Sequence, residues 1–215
     1  MRRLLTPVTL LLALGLPLLH AEGPNDPAPF ITARGTVNGK KVLFDNSHGE
    51  TAGQADWVID GGFSDFANAL ADNGFYVKEL RKASPITLAD LSGYQVLVFG
   101  EANIPFKASE QAALLQYVQN GGAIFFIGDH NNADRNKNRW DGSECFNGYR
   151  RGAWTNPTKG MNAEEITAMQ GVTSSDWLGT NFGVRFRYNA LGNITANDVV
   201  APAQAFDITA GVATQ

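Results

Sequence analysis

Apolar residues along this chain alternate between short runs and longer stretches with helical spacing. Lys41 to Asp45, KVLFD, is a short apolar strand. From Gln54 to Asn73 the apolar positions Trp57, Val58, Phe63, Phe66, Ala67 and Leu70 recur near a helical period, and Gly61–Gly62 weakens the first half, so a firm helix is predicted from about Phe63. Asn73–Gly74 is a helix stop, and Phe75 to Leu80 alternates like a second strand. Gln95 to Phe99, QVLVF, reads as a third strand buried on both faces. Ser109 is placed to cap a helix running to Gln119, with Ala112, Leu115 and Val118 inward and Gly121–Gly122 as its stop; Ala123 to Ile127, AIFFI, follows as a fourth strand.

This alternation predicts an α/β fold: a doubly wound, mainly parallel sheet of the flavodoxin-like three-layer type. After Gly128 the character changes. Residues 129–161 are polar, rich in Asn, Arg, Gly and Trp, and carry no evident strand or helix; Trp140, Tyr149 and Trp154 within them point to an ordered loop. Asn162 with Glu165 forms a capping box for a helix toward Met169, Ser174 to Asn181 offers a further helical turn, and Gly183 to Tyr188 alternates like another strand.

The amino terminus, MRRLLTPVTLLLALGLPLLHA, has two arginines, an apolar run from Leu4 to Leu19 and a small residue at Ala21, the pattern of a secretory signal peptide. Residues around Arg2–Arg3 match the twin-arginine pattern poorly, which favours the general export route. No second apolar stretch follows to act as a membrane anchor, so a secreted or periplasmic bacterial protein is expected. The predicted organisation is residues 1–21 as signal peptide, 22–39 as an extended lead-in with three prolines, and 40–215 as one α/β domain that could continue beyond Gln215.

Removing Arg2 and Arg3 takes Lys+Arg from 17 to 15 against 21 Asp+Glu, and the net charge from −4 to −6. Such a surface exerts no general pull on nucleic acid or anionic membranes, so any polyanion would need a local basic cluster. Cys145 is the single cysteine, which rules out an internal disulfide and reads best as a small buried residue.

Only two histidines follow the signal segment, and each lies just after a strand. If the strands take the order 2-1-3-4, the switch point lies between the first and the third, where an open parallel sheet forms its ligand crevice. Asp45 and His48 follow strand one, Glu101 and Asn103 strand three, and Asp129, His130, Asn132 and Asp134 strand four. Asp45, His48, Asp129, His130 and Asp134 are the candidate metal ligands, suited to zinc or manganese, or to magnesium if carboxylates dominate. Glu101 is the candidate general base, with His48 and His130 as further catalytic candidates. Asp and Asn are also common after strands as caps and turn residues, so Asp45 and Asp134 taken singly read as structural.

Arg135, Lys137, Arg139, Arg150 and Arg151 form the densest basic stretch. Arg135, Arg139 and Arg150, with Asn103 and Asn132, could hold a small or polymeric anionic substrate, and Trp140 could stack on a base or sugar; internal salt bridges and core packing are the alternative. No serine lies in a GxSxG elbow, and no glycine pattern matches a phosphate loop or dinucleotide fingerprint.

The segment LADLSGYQVLVFGEANIPFKASEQAALLQYVQNGGAIFFIGDH resembles the middle of the class I glutamine amidotransferase-like superfamily, nearest to trehalose-utilisation-like proteins. The likeness lies in a strand, a polar turn, a helix opened by Ser-Glu-Gln, then Val-x-x-Gly-Gly and a strand ending near His130. It spans about residues 40–135 and implies the fold more than the activity. Members that hydrolyse glutamine carry a cysteine nucleophile after a central strand, whereas the turns here offer Glu101 and Asp129–His130, so that reaction is not expected. The stretch HNNADRNKNRWDGSECFNGYRRGAW also resembles secreted bacterial proteins of this fold described as hydrolase-like or associated with nuclease-type modules. The expectation is a secreted, metal-assisted hydrolase leaning to phosphoesters or nucleic acid. A glycan- or nucleotide-binding module and a carbohydrate-active protein of the trehalose-utilisation type are the alternatives.

Overall fold

The computed structural model describes residues 26–50, 57–82, 85–128, 140–149, 158 and 163–186. The signal segment expected at 1–21 lies outside them. No helix among the described residues is long and apolar enough to cross a membrane.

Five strands form one mixed sheet: β1 (Phe30–Ile31), β2 (Lys41–Asn46), β3 (Tyr76–Arg81), β4 (Val96–Gly100) and β5 (Ala123–Ile127). Their order is β1-β3-β2-β4-β5; β2 to β5 are mutually parallel, and β1 runs antiparallel along β3. Numbered alone, the parallel strands have the order 2-1-3-4, which puts the switch point between β2 and β4. The lead-in is therefore partly sheet: Phe30–Ile31 pairs with Val77–Lys78 and covers the β3 edge. Two residues are too few to show periodicity in a proline-rich segment.

Side-chain alternation along β2 and β4 feeds two separate cores. Val42, Phe44 and Val98 face α1 (Ser64–Asp72), which contributes Phe66, Ala67 and Leu70. Leu43, Leu97 and Phe99 face the opposite way, toward α2 (Leu88–Leu91), α3 (Ala108–Gln119), α4 (Gly142–Asn147) and α6 (Trp177–Phe182). A sheet buried on both sides is why β2 is apolar at successive positions rather than alternate ones. A short α5 (Ala163–Ala168) precedes α6.

Besides β1 and the four-residue α2, neither of which was expected, two further segments differ from expectation. Residues 142–147, read as loop, form α4, and all six are buried. Its ends carry ordinary signals in compressed form: Asp141 accepts the first helical turn, Glu144 Oε2 accepts a hydrogen bond from Asp141 N at 3.3 Å, and Gly148 stops the helix at φ +84°. Phe146 is the packing payload, lying 5.0 Å from Phe126 and 5.1 Å from Phe186, centroid to centroid.

The strand expected over 183–188 is absent from the residues described there, 183–186. Phe186 turns its ring into the core, and its backbone N–H and C=O pair with the side-chain amide of Asn147 instead of a strand. Arg185 pairs with Asp176 at the start of α6. One asparagine thus supplies the hydrogen bonds that a neighbouring strand would have given.

Phe146→Ala is expected to cost about 3–5 kcal/mol by urea unfolding, the range for a large aromatic removed from a core. A value within about 0.5 kcal/mol, normal for an exposed loop, would contradict the placement of α4.

Candidate active site at the switch point

The β2 strand ends in Asp45, and the loop after it folds straight back. Ser47 Oγ donates to Asp45 Oδ1 at 2.6 Å, and His48 Nδ1 lies 2.6 Å from Asp45 Oδ2. The other ring nitrogen, Nε2, lies 3.2 Å from Glu110 Oε1 in the first turn of α3. That carboxylate also accepts hydrogen bonds from Ile86 N and Lys107 N, so one group caps α3, fixes the segment before α2 and receives the imidazole. Asp45 is 1% exposed and His48 2%, and the ring sits against Phe106 at 4.5 Å.

An imidazole between two carboxylates is stable as the cation. Burial acts to lower the His48 pKa, but the charges of Asp45 and Glu110 and their hydrogen bonds outweigh it and hold the ring well above its ordinary range. Glu110 responds in the opposite sense: burial pushes it up, and His48 with the capping hydrogen bonds brings it below the usual carboxylate range. Glu50, fully buried, is different. Burial and the charge of Asp45 push it well above its ordinary value, while Oε2 accepts from His48 N at 2.8 Å.

The β4 turn interlocks with this loop. Asn103 N and Ile104 N both donate to His48 O, at 2.7 and 3.0 Å, and the Asn103 side chain donates to Gly49 O and Glu101 O. Asn103, expected to contact substrate, is thus committed to fastening two turns together. Glu101 has a backbone φ of +44°, left-handed and unusual for a side chain of this size. Its N–H is tied to Ile127 O at 2.8 Å, and its Oε1 accepts from Gly142 N, the first residue of α4, at 3.2 Å. A Cβ on Gly142 would lie 2.6 Å from Glu101 Oε2, so any side chain there would push this carboxylate off the helix end. Burial pushes the neighbouring Cys145 thiol up, reinforced by the charges of Glu101, Glu144 and Asp141, and the residue is a free, buried cysteine.

No family model matches the chain, and no curated protein matches it. Among solved structures it is similar to the mmIFT52 N-terminal domain, at 21% identity and a TM-score of 0.37. The likeness covers 44% of this chain and 38% of that one, and is too slight to carry an argument.

Of the residues singled out from sequence, Asp45, His48, Glu101 and Asn103 lie on two interlocked turns at the switch point. The expected contributors Asp129, His130, Asn132, Asp134, Arg135, Arg139 and Arg150 lie outside the described residues. Trp140 is not a solvent-facing platform: it is 6% exposed and packs in the core beside Cys145 and Phe146. Nor is His48 placed as an exposed base, since both ring nitrogens face carboxylates.

Glu50 and Glu110 were missed. Glu50 stands in the polar run SHGE, which looks like an ordinary loop. Glu110 reads as a helix-cap residue, which it is; its second role depends on β2 lying beside α3. The usable signal was the charge count around His48, because a buried histidine beside one carboxylate has a second nitrogen to satisfy.

The His48 contribution to stability is fully present below the unfolded pKa, near 6.5, and is lost as pH rises through the raised folded value. With chelator present, urea unfolding should therefore show stability falling on the alkaline side of pH 6.5. His48→Gln should be less stable and lack that His-linked slope. An equal slope in both proteins would contradict the assignment.

Proposed function

We propose that this chain is an exported hydrolase whose reacting group is the Glu101 carboxylate, on a flavodoxin-like three-layer scaffold of the amidotransferase-like kind. One observation carries the reading: at the topological switch point, Glu101 is held in left-handed backbone conformation with its carboxylate set on the first turn of α4. A strained, non-glycine residue of this type costs on the order of 1–3 kcal/mol and persists where surrounding contacts impose it, most often at functional positions. Here the imposing contacts are the Ile127 carbonyl and the Gly142 amide.

Glu101 is itself 5% exposed, so water and substrate have to reach it past the turn. The carboxylate then takes the proton of a water molecule as the water oxygen attacks an electrophilic phosphorus or carbon, and the proton passes to the departing oxygen. The basic stretch carrying Arg135, Arg139 and Arg150 is the source of the lean toward phosphoesters, with guanidinium groups to hold an anionic substrate. The buried His48 is assigned no proton-transfer step; it fixes the turn against which Asn103 and Glu101 are folded. Export rests on the amino-terminal pattern alone.

The test is hydrolysis of aryl phosphomonoesters, aryl phosphodiesters and aryl glycosides by the purified protein and two variants. Glu101→Gln should unfold at nearly the wild-type temperature yet lose about 100-fold or more in rate, the usual yield of acid–base catalysis. Gly142→Ala should displace the carboxylate and lower kcat more than it raises KM. Absence of turnover on every substrate, or a fully active Glu101→Gln, would overturn the reading.

A further inference from the structure

We propose that Asp45, His48 and Glu50 form a closed site for one divalent transition-metal ion, which braces the turn after β2. The proposal stands independently of hydrolysis at Glu101. One ligand atom from each of the three residues lies within 4.8 Å of the other two. Ligands about 2.1 Å from one tetrahedral ion lie roughly 3.4 Å apart, so a pair at the outer limit of that range must draw in by about an ångström on binding.

A second observation points to a ligand. Glu50 Oε1 is buried and has no hydrogen-bond partner, although Glu50 Oε2 is fixed by His48 N. A buried carboxylate oxygen is seldom left so, because the lost hydration is not replaced. In the ion-free protein a proton held between Glu50 and the nearby Asp45 carboxylate can serve that oxygen. A metal ion between Asp45, Glu50 and His48 would replace that proton, and titration with the ion separates the two.

Glu110 completes the arrangement. Its carboxylate lies on His48 Nε2, leaving Nδ1 directed at Asp45. Metal-bound histidines commonly donate their second N–H to a carboxylate, which fixes the ring's orientation and tautomer. Coordination would exchange one bond for another: the Nδ1 proton leaves to solvent, Nδ1 bonds the ion, and Nε2–H stays on Glu110. One imidazole with two carboxylates suits zinc or manganese better than calcium, which prefers an all-oxygen set. With Asp45 at 1%, His48 at 2% and Glu50 at 0% exposure, the three ligand residues are shut off from bulk solvent, and the role assigned to the ion is structural.

The experiment titrates the chelator-stripped full chain with zinc and, separately, manganese by calorimetry, alongside thermal unfolding and histidine nitrogen NMR. The expected result is one ion per chain, a raised unfolding temperature and a shift of the His48 Nδ1 resonance. Glu50→Gln should weaken binding at least about 100-fold, and Glu110→Gln about 10- to 100-fold as a positioning residue. Glu101→Gln should bind as wild type, which separates this site from the hydrolytic reading. No stoichiometric binding of either ion, unchanged affinity in Glu50→Gln, or a shift confined to His130 would overturn it. Should Glu50→Gln fail to fold, the NMR shift on wild-type protein decides alone.

Discussion

The structure hangs on one buried cation between two buried anions. His48 carries its charge between Asp45, the last inward residue of β2, and Glu110, the residue that caps α3. Removing three charged groups from water is costly unless they are mutually paired and hydrogen-bonded, and here each satisfies more than one demand. Asp45 takes Ser47 and His48; Glu110 takes His48 and two backbone amides. Because the partners sit on different elements, the knot fixes the β2 turn against α3. The β4 turn then folds over it, both Asn103 N and Ile104 N anchoring on His48 O.

From that anchor the geometry of Glu101 follows. Its backbone is held on one side by β5, its carboxylate on the other by the first amide of α4, and Gly142 is the residue that permits such close approach. α4 is itself pinned by Phe146 and by Asn147, whose amide serves the backbone of Phe186. The strained residue is thus supported by packing contributed from distant parts of the chain. This division also separates two roles that looked like one: His48 belongs to a closed interior cluster, and Glu101 to a turn at the switch point.

Much of this was legible from the pattern of apolar residues. The parallel strands announce themselves as short apolar runs or alternations, and β5 falls on Ala123–Ile127 as expected. The position of Asp45, His48 and Glu101 at strand ends was readable for the same reason. What escaped was short or long-range. The two-residue β1 has no period, the six-residue α4 hides in Gly, Ser and Asn, and residues 184–186 alternate like a strand while Asn147 takes the strand's place. Trp140 looked like a stacking surface because its neighbours are charged; its burial depends on α4, which was not seen. The second carboxylate on His48 became visible only once β2 and α3 were adjacent.

The central claim is that His48 is an interior imidazolium held by Asp45 and Glu110, and the most direct test observes its ring nitrogens. In nitrogen-labelled, chelator-treated protein at neutral pH, both Nδ1 and Nε2 of His48 are expected to carry protons, to keep them well above pH 6.5 and to exchange slowly with water. A single-proton tautomer at neutral pH, titrating near 6.5 like a solvent-exposed histidine, would contradict it.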